Sequence, residues 1–242
     1  MIRVIISGAC GHMGRILAEA VEKNDNTVLA AGVDAFGDGD VFKSFSDDIP
    51  EADVVIDFSH HSAVPALLEF AKKRSIPAVI ATTGHTDEEK TLIEEASKDI
   101  PVFYSGNMSL GIAVLVRLAK QAAAAFPSAD IEIVEVHHNR KLDAPSRTAA
   151  MLADAVSEVR PDSHIVYGRE GNRKRDPGEI GMHSLRMGNI VGIHEVIIST
   201  DTQTVTLKHE AHDRGLFADG AISAAEAMAG RAPGLYGMQD IL

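Results

Sequence analysis

Apolar runs alternate with amphipathic stretches over the first half of the chain. The apolar runs are rich in β-branched residues and predict strands at residues 2–7, 27–33, 53–58, 77–81 and 101–105. Helical spacing of apolar residues predicts helices at residues 15–23, 63–73, 87–97 and 110–126. Strands that alternate with helices in this way predict an α/β fold with a doubly wound parallel sheet, in which ligands bind at the carboxyl ends of the strands.

The pattern changes in the second half of the chain. Residues 130–136 alternate between apolar and acidic side chains, as in a half-buried strand, and residues 145–159 return to helical spacing. Three further segments alternate in the manner of an antiparallel sheet, at residues 182–186, 190–199 and 204–210. We therefore expect a second, α+β domain with an open mixed or antiparallel sheet, whose edges and free face need covering.

Two segments around this sheet complete the pattern. Residues 161–181 are rich in charge and glycine and are interpreted as a solvated surface loop, with a basic lid over an anionic substrate as the alternative. A closing helix is predicted from residue 214 to residue 228.

A glycine-rich turn follows the first predicted strand. Gly8, Gly11 and Gly14 have the spacing G-x-x-G-x-x-G, with Ala9 where the usual dinucleotide fingerprint has its first glycine. Glycine lets the backbone approach a pyrophosphate, and the N-terminus of the following helix stabilises its negative charge. The order of strand, turn and helix predicts a Rossmann-type nucleotide site, and a tight turn without a ligand is the alternative.

An acidic residue ends the second predicted strand. Asp34 lies about 20 residues after the last glycine, where a carboxylate accepts hydrogen bonds from the adenosine 2′-hydroxyl and repels a 2′-phosphate. The next residue is Ala35, and no arginine that could accommodate a 2′-phosphate occurs between it and Arg74. We therefore expect a preference for NADH over NADPH, although Lys43 could fold back and weaken it.

Titratable side chains concentrate in the loop between residues 136 and 146. Ser146 is a suitable N-cap, and the amides of Arg147 and Thr148 would then face an anion at the positive end of the helix dipole. A cation at the first helical position costs roughly 0.3–1 kcal/mol unless an anion compensates. The expected ligand is a carboxylate or phosphate, and the histidines of the loop can exchange protons near neutral pH. The alternative is a solvated loop whose histidines satisfy backbone groups.

Composition narrows the classes of function. The chain has 242 residues, and its net charge of −12 argues against nucleic acid as a partner. The single cysteine, Cys10, excludes an internal disulfide and fits a reducing cytoplasm. No apolar run approaches the roughly 20 residues that cross a bilayer, and no signal peptide precedes the first strand. We expect a cytoplasmic protein that acts on a small anion, without a metal and without a membrane.

The loop carries a recognisable motif. The run HHNRKLDAPSRTA, from His137 to Ala149, resembles the signature H-H-x-x-K-x-D-A-P-S-G-T-A of the dihydrodipicolinate reductases, now called 4-hydroxy-tetrahydrodipicolinate reductases. These enzymes act in bacterial lysine and diaminopimelate synthesis. Arg147 stands where the family has glycine, so the backbone amide is kept but a side chain enters the carboxylate pocket. The resemblance extends to Thr82–Thr83, in a G-T-T-G-like loop, and to the segment that begins at Gly106.

The resemblance implies hydride transfer from a reduced nicotinamide to a cyclic imine dicarboxylate, with loss of water from its hydroxylated precursor. By motif position, His137 is the expected proton donor and Lys141 a second donor and charge stabiliser, and an exchange of these two roles stays open. His138, Arg147 and Thr148 are expected to hold the substrate carboxylate, the last two chiefly through their backbone amides.

The resemblance also implies a cofactor site and a domain organisation. The expected cofactor-binding residues are Gly8, Ala9, Cys10, Gly11, His12, Met13, Asp34, Ala81, Thr82, Thr83, Ser105, Gly106, Asn107 and Met108. Residues 1–108 and 216–242 would form the dinucleotide-binding domain, and residues 109–215 the substrate-binding and oligomerisation domain. In the family the second sheet builds a homotetramer, so we expect self-association.

Two other functions stay open. A related NAD(P)-dependent amino-acid dehydrogenase would share the first domain but would not need the H-H-x-x-K-x-D-A-P run. A non-catalytic NAD(P)H-binding sensor would need the glycine turn and could dispense with the titratable groups between His137 and Lys141.

Overall fold

The computed structural model describes all 242 residues and contains twelve strands, six α-helices and two 3₁₀ turns. The strands, in chain order, are β1 (Ile2–Ser7), β2 (Thr27–Val33), β3 (Val41–Phe42), β4 (Val54–Asp57), β5 (Ala78–Ile80), β6 (Pro101–Tyr104), β7 (Asp130–His137), β8 (His164–Tyr167), β9 (Glu179–Arg186), β10 (Gly192–Ser199), β11 (Thr204–Ala211) and β12 (Gly234–Tyr236). The helices are α1 (His12–Lys23), α2 (Val64–Arg74), α3 (Asp87–Ala96), α4 (Leu110–Ala125), α5 (Arg147–Ser157) and α6 (Gly215–Met228). The chain forms two compact units, Met1–Ser109 with Arg214–Leu242, and Leu110–Asp213.

The first unit is built on a parallel sheet of seven strands. Its strand order is β12-β6-β5-β4-β1-β2-β3, and every neighbouring pair is parallel. Val4, Ile5 and Ile6 are fully buried, because both faces of a parallel sheet are covered by helices. The predicted doubly wound α/β fold is confirmed.

Two strands of this sheet were not predicted. β3 has two residues and β12 has three, which is too short for a period of two to emerge from the sequence. β12 is paired with β6, so the C-terminal segment forms the edge of the first sheet.

Helix α6 returns the chain to the first sheet at close range. It contacts α1 and the strands β4, β5 and β6. A Cβ built on Gly220 would lie 1.7 Å from the carbonyl oxygen of Met108, in the segment that follows β6. Only a residue without a side chain therefore lets the helix pack at this distance.

The second unit contains a mixed sheet of five strands in the order β11-β10-β7-β9-β8. β10 is antiparallel to β11 and to β7, whereas β7–β9 and β8–β9 are parallel pairs. One face packs against α4 and α5 through a core that includes Ile131, Ile133, Leu152, Val156 and Val196. The sheet is therefore mixed, which is one of the two arrangements that the sequence predicted.

The antiparallel pairing expected between residues 182–186 and residues 190–199 is wrong, because β7 lies between β9 and β10. Ile133 of β7 is in register with Met182 of β9 in a parallel pair, because α5 and β8 lie between the two strands and return the chain to the same end. A period of two marks a strand but does not encode which strand will pair with it.

The prediction of a solvated loop at residues 161–181 is also wrong in part. β8 lies inside this segment, and the buried residue Glu179 begins β9. Arg169 and Arg173 form ion pairs with Glu179, and Arg175 donates to Asp130 over 3.0 Å. Since these cations are paired within the second unit, they anchor the connection between β8 and β9.

The close approach at Gly220 generates a test of stability. Gly220→Ala gains helix propensity worth roughly 1 kcal/mol, but the clash with the Met108 backbone should outweigh it and lower the free energy of unfolding by about 3 kcal/mol. Urea unfolding followed by circular dichroism measures the difference. The matched control is Gly106→Ala, where the added Cβ would lie 3.6 Å from Thr83 Cγ2, an ordinary contact. A Gly220→Ala protein as stable as the parent would contradict this account of α6.

Candidate functional site

The last residues of β7 place two titratable side chains on one face of the second sheet. Glu135 and His137 continue the buried alternation of Ile131 and Ile133, so they lie on the face that packs against the helices. Glu135 is fully buried and His137 is 9% exposed. A buried carboxylate requires compensating donors, and the neighbouring strands provide them.

Four donors satisfy the Glu135 carboxylate. Arg186 of β9 donates two hydrogen bonds, from Nη1 to Oε2 over 2.9 Å and from Nη2 to Oε1 over 2.7 Å. The amide of Ser146 donates to Oε1 over 3.2 Å. His137 Nδ1 forms a hydrogen bond with Oε2. Because an ionised carboxylate offers about four acceptor positions, these four hydrogen bonds fill the hydrogen-bonding capacity of Glu135.

Burial and charge set the protonation of this pair. Burial alone would raise the pKa of Glu135, but hydrogen bonds from Arg186 and His137 hold it below its usual range. Burial lowers the pKa of His137, and Glu135 opposes that shift through a hydrogen bond and its charge. At neutral pH the ligand-free pair is therefore an ionised glutamate beside a largely neutral histidine.

Lys141 lies in the loop after β7 and is held by a neighbouring acid. Its Nζ is 2.7 Å from Oδ1 of Asp143, which lowers the pKa of that carboxyl. The Lys141 amide donates to the carbonyl of His138 over 3.1 Å. His138 is half-buried, and its Nδ1 has no hydrogen-bond partner. Arg186 Nη2 also donates to the Asp143 carbonyl over 2.7 Å, so the loop is tied to β9.

The N-terminus of α5 closes the loop as the sequence predicted. Ser146 is the N-cap, and its Oγ accepts from the amide of Ala149 over 3.2 Å. Arg147 is the first helical residue and is exposed, and Thr148 is half-buried. Since the first turn contains no acidic residue, no carboxylate of the helix competes with a bound anion for the positive end of the dipole.

His194 of β10 forms a hydrogen bond with the N-cap residue Ser146. Its Nε2 is 3.1 Å from Ser146 Oγ, and its ring makes an edge contact with His137 at a centroid distance of 5.1 Å. Burial, with the nearby His137, lowers the pKa of His194 to about 4. His194 is therefore neutral at physiological pH.

The glycine turn of the first unit fits a dinucleotide. Gly8 has a φ of +82°, and a Cβ there would lie 2.7 Å from the Phe58 carbonyl oxygen. A Cβ at Gly14 would lie 2.1 Å from the Gly8 carbonyl oxygen. Gly11 is the N-cap of α1, and the first turn of that helix has no acidic residue. The amides of Gly8, Ala9, Cys10 and Gly11 donate to acceptors within the protein. The amides that fit a pyrophosphate are therefore those of the first turn of α1, which begins with His12 and Met13.

Asp34 is tied to the glycine turn. One carboxylate oxygen accepts from the Cys10 amide over 3.0 Å, and the other accepts from the Phe36 amide over 2.9 Å. These bonds fix the carboxylate and still leave acceptor capacity for a ribose hydroxyl. The ring of Phe36 is 92% exposed beside it.

The ends of β4 and β5 enclose a shallow cavity of about 220 Å³. Its lining includes three of the expected cofactor-binding residues, Ala81, Thr82 and Thr83. The other lining residues are Phe58, Ser59 and His60. After β6, the hydroxyl of Ser105 donates to the Asn107 carbonyl over 2.8 Å. Gly106 is exposed and Met108 is 2% exposed, so only part of this segment is available to a ligand in the first unit.

Several residues of these sites were missed by sequence reasoning. Ser59 and His60 follow the end of β4, where the rule for parallel sheets could have placed them. Glu135 stands two residues before His137 in an alternating strand, which is a usable signal for a shared face. Arg186 and His194 come from other strands, and no spacing in the sequence connects them to the loop.

Comparison with known proteins identifies close similarity over the whole chain. Residues 2–108 match the family model described as "Dihydrodipicolinate reductase, N-terminus", and residues 111–242 match "Dihydrodipicolinate reductase, C-terminus". The chain is 49% identical over 247 residues to the 4-hydroxy-tetrahydrodipicolinate reductase of Caldanaerobacter subterraneus subsp. tengcongensis, covering 100% of this chain and 98% of that protein. It is 41% identical to the reductase of the same name from Clostridium novyi, with the same coverage.

Solved structures give the same result. A dipicolinate-bound dihydrodipicolinate reductase from Paenisporosarcina sp. TG-14 superposes with a TM-score of 0.80 at 29% identity, over 100% of both chains. A probable dehydrogenase from Thermotoga maritima has a TM-score of 0.63 at 13% identity, over 99% of this chain and 92% of that one. The second likeness shows a shared fold alone. No helix of the chain has the length and apolar character needed to span a membrane.

The depressed pKa of His194 generates a prediction about stability and pH. The unfolded chain binds a proton at His194 below about pH 6.5, whereas the folded chain binds it only near pH 4. The contribution of His194 to the free energy of unfolding is therefore at its full value above pH 6.5. This contribution decreases by on the order of 3 kcal/mol as the pH drops toward 4. His194→Gln should remove about 1.4 kcal/mol per pH unit from the slope of unfolding free energy between pH 5 and 6. Urea unfolding at several pH values measures the slope, and identical slopes for both proteins would refute the prediction.

Proposed function

Because the chain belongs to the dihydrodipicolinate reductase family, its reaction is the nicotinamide-dependent reduction of 4-hydroxy-tetrahydrodipicolinate to tetrahydrodipicolinate, and we propose which residues carry it. The observation that carries the assignment is the arrangement in the second unit. The buried Glu135–His137 pair ends β7, Lys141 lies in the nine-residue connection that follows, and the N-terminus of α5 closes that connection. Each of these groups has a use in reducing a dicarboxylate.

His137 is the proposed proton donor. Its Nδ1 is engaged by Glu135, so Nε2 is the nitrogen that can deliver a proton to the substrate. The pKa of His137 is lowered in the ligand-free protein. A bound dicarboxylate brings negative charge, which raises the pKa of a nearby imidazole. His137 therefore takes up its proton as the substrate binds and releases it as the product forms.

Lys141 is the proposed second donor and charge stabiliser. Its ammonium group lies 2.7 Å from Asp143, and its side chain is 22% exposed, which fits a cation positioned to stabilise a negatively charged intermediate. The exchange of roles between Lys141 and His137 remains the alternative. The buried hydrogen bond of His137, which fixes one nitrogen and frees the other, favours His137 as the donor.

The N-terminus of α5 is the proposed carboxylate site. The amides of Arg147 and Thr148 lie in its first turn, and His138 provides an imidazole whose Nδ1 has no partner in the protein. Arg147 adds a positive charge that the family's glycine lacks. We propose that this side chain adds to the attraction for the substrate, because an exposed cation at this position otherwise only opposes the helix dipole.

The first unit is the proposed dinucleotide-binding domain. The glycine turn would hold the pyrophosphate, Asp34 the adenosine ribose, and the segments at residues 81–83 and 105–108 the nicotinamide end. When bound, the reduced nicotinamide supplies the hydride. Asp34 favours a 2′-hydroxyl over a 2′-phosphate, because its fixed carboxylate can accept from the first and repels the second. NADH is the proposed cofactor, with NADPH as a weaker alternative.

Self-association is proposed from the free face of the second sheet. The face opposite α4 and α5 presents Val134, Val136, Ile193 and Ile197, which are half-buried within the chain. A sheet face of this composition gains stability when a second copy covers it. The proposed assembly is the homotetramer of the family.

The role of His137 is tested by replacement with a side chain that holds no exchangeable charge. His137→Gln should lower kcat about 10²–10⁴-fold with a modest change in KM, which is the usual contribution of a positioned proton donor. The measurement is the oxidation of the reduced cofactor, followed by absorbance with freshly made substrate. The control is His164→Gln, an exposed histidine on β8, which should keep the parent turnover. Near-native kcat in His137→Gln would remove this residue from the mechanism.

The role of Asp34 is tested by the ratio of kcat/KM for NADH and NADPH. We expect the parent protein to prefer NADH, and Asp34→Asn to use NADPH relatively better, because the charge that repels the 2′-phosphate is gone. Asp38→Asn, an exposed change in the same segment, is the control and should keep the ratio. A clear preference of the parent protein for NADPH would overturn the assignment of Asp34.

A further inference from the structure

The buried carboxylate of Glu135 has no chemical role of its own in the proposed reaction, yet it lies at the centre of the loop. Its four donors come from β7 itself, from β9 and from the N-cap of α5. Arg186 also donates to the backbone carbonyl of Asp143, and the carboxylate of Asp143 is paired with Lys141. A change at Glu135 is therefore transmitted to the groups assigned to proton transfer and to carboxylate binding.

We infer that Glu135 is a positioning residue that sets the tautomer and the proton affinity of His137. The inference deepens the proposed function and depends on the assignment of His137 as the donor. An ionised carboxylate accepts only from a protonated nitrogen, so neutral His137 carries its hydrogen on Nδ1. Its Nε2 is then an acceptor in the neutral ring and a donor in the protonated ring.

The surroundings explain how the carboxylate can act in this way. Arg186 holds Glu135 ionised with two hydrogen bonds, so the acid does not take the proton itself. The charged and titratable groups near His137 are Glu135 on its own strand, Arg186 on β9, His194 on β10 and Lys141 in the loop. Of these, only Glu135 raises the proton affinity of His137.

A glycine on the neighbouring strand β10 leaves space for the imidazole ring of His137. Gly192 of β10 comes just before Ile193, which is in register with Val136, and two residues before His194, which is in register with Glu135. A Cβ on Gly192 would lie 3.1 Å from His137 Nε2. The imidazole thus lies across a position without a side chain, with Glu135 fixing one nitrogen and Gly192 leaving space at the other.

The first experiment replaces the charge and keeps the shape. Glu135→Gln can still accept from Nδ1 but no longer attracts the imidazolium. Removal of one opposite charge at hydrogen-bond distance should lower the pKa of His137 by about one unit or more. A general acid works only while protonated, so the falling limb of kcat/KM against pH should move to lower pH by the same amount. At pH values above that limb the rate should drop about tenfold or more, with KM for the cofactor unchanged.

The matched control lies on the same strand. Glu132 is also paired with an arginine and a histidine, Arg175 and His183, but on the opposite face of β7. Glu132→Gln removes an equivalent charge at a distance from His137 and should leave the position of the limb unchanged. A shift of equal size in both variants would overturn the inference.

A second variant covers the case in which Glu135→Gln fails to fold. Removing one partner of a buried ion pair leaves Arg186 uncompensated, whereas removing both partners does not. The double variant Glu135→Gln/Arg186→Met therefore keeps the interior neutral. Because Glu135 affects His137 more strongly than Arg186 does, the limb should still move to lower pH.

Nuclear magnetic resonance of ¹⁵N-labelled histidine separates this inference from the proposed function. The parent protein without ligand should show neutral His137 as the Nδ1–H tautomer, with a pKa that falls in Glu135→Gln. An Nε2–H tautomer, or a pKa indifferent to Glu135, would overturn the inference. If the tautomer and the pKa follow Glu135 but the pH–rate profile does not, the positioning stands and the assignment of His137 as proton donor falls.

Discussion

The burial of one carboxylate constrains the whole second unit. Glu135 has no exposed surface, and a carboxylate in that position persists only if donors replace the water it has lost. Those donors are an arginine on β9, a histidine on its own strand and the N-cap amide of α5. The parallel pairing of β7 with β9, the start of α5 and the orientation of His137 are therefore coupled, because each supplies part of the same compensation.

The same carboxylate links structure to chemistry. Water alone would leave an imidazole free to exchange tautomers, and burial alone would lower its proton affinity. The carboxylate of Glu135 at Nδ1 fixes the tautomer of His137 and opposes the loss of proton affinity that burial causes. Arg186 keeps Glu135 ionised, so the proton stays on the histidine. The neighbouring His194 stays neutral because it is buried. Two adjacent histidines thus have different electrostatic surroundings, and only one of them has a carboxylate partner.

The first unit obeys a different constraint, which is the space available to the backbone. Gly8 and Gly14 allow the turn after β1 to approach other backbone atoms at distances that no Cβ would permit, and Gly220 does the same for α6. Asp34 then fixes the turn through the Cys10 amide. A dinucleotide is bound mainly by main-chain donors, so the residues without side chains determine the shape of that site as much as the polar residues do.

The sequence by itself determined the parallel sheet of the first unit, the N-cap at Ser146 and the strand at residues 130–136, because local periodicity and capping residues encode these features directly. The motif from His137 to Ala149 also determined the family. Only the tertiary structure decided which strand pairs with β9, the strand at residues 164–167 and the partners of Glu135. Those features depend on contacts such as Arg186 with Glu135, about fifty positions apart in the chain, and a pattern read along one segment contains no information about which distant segment will lie beside it.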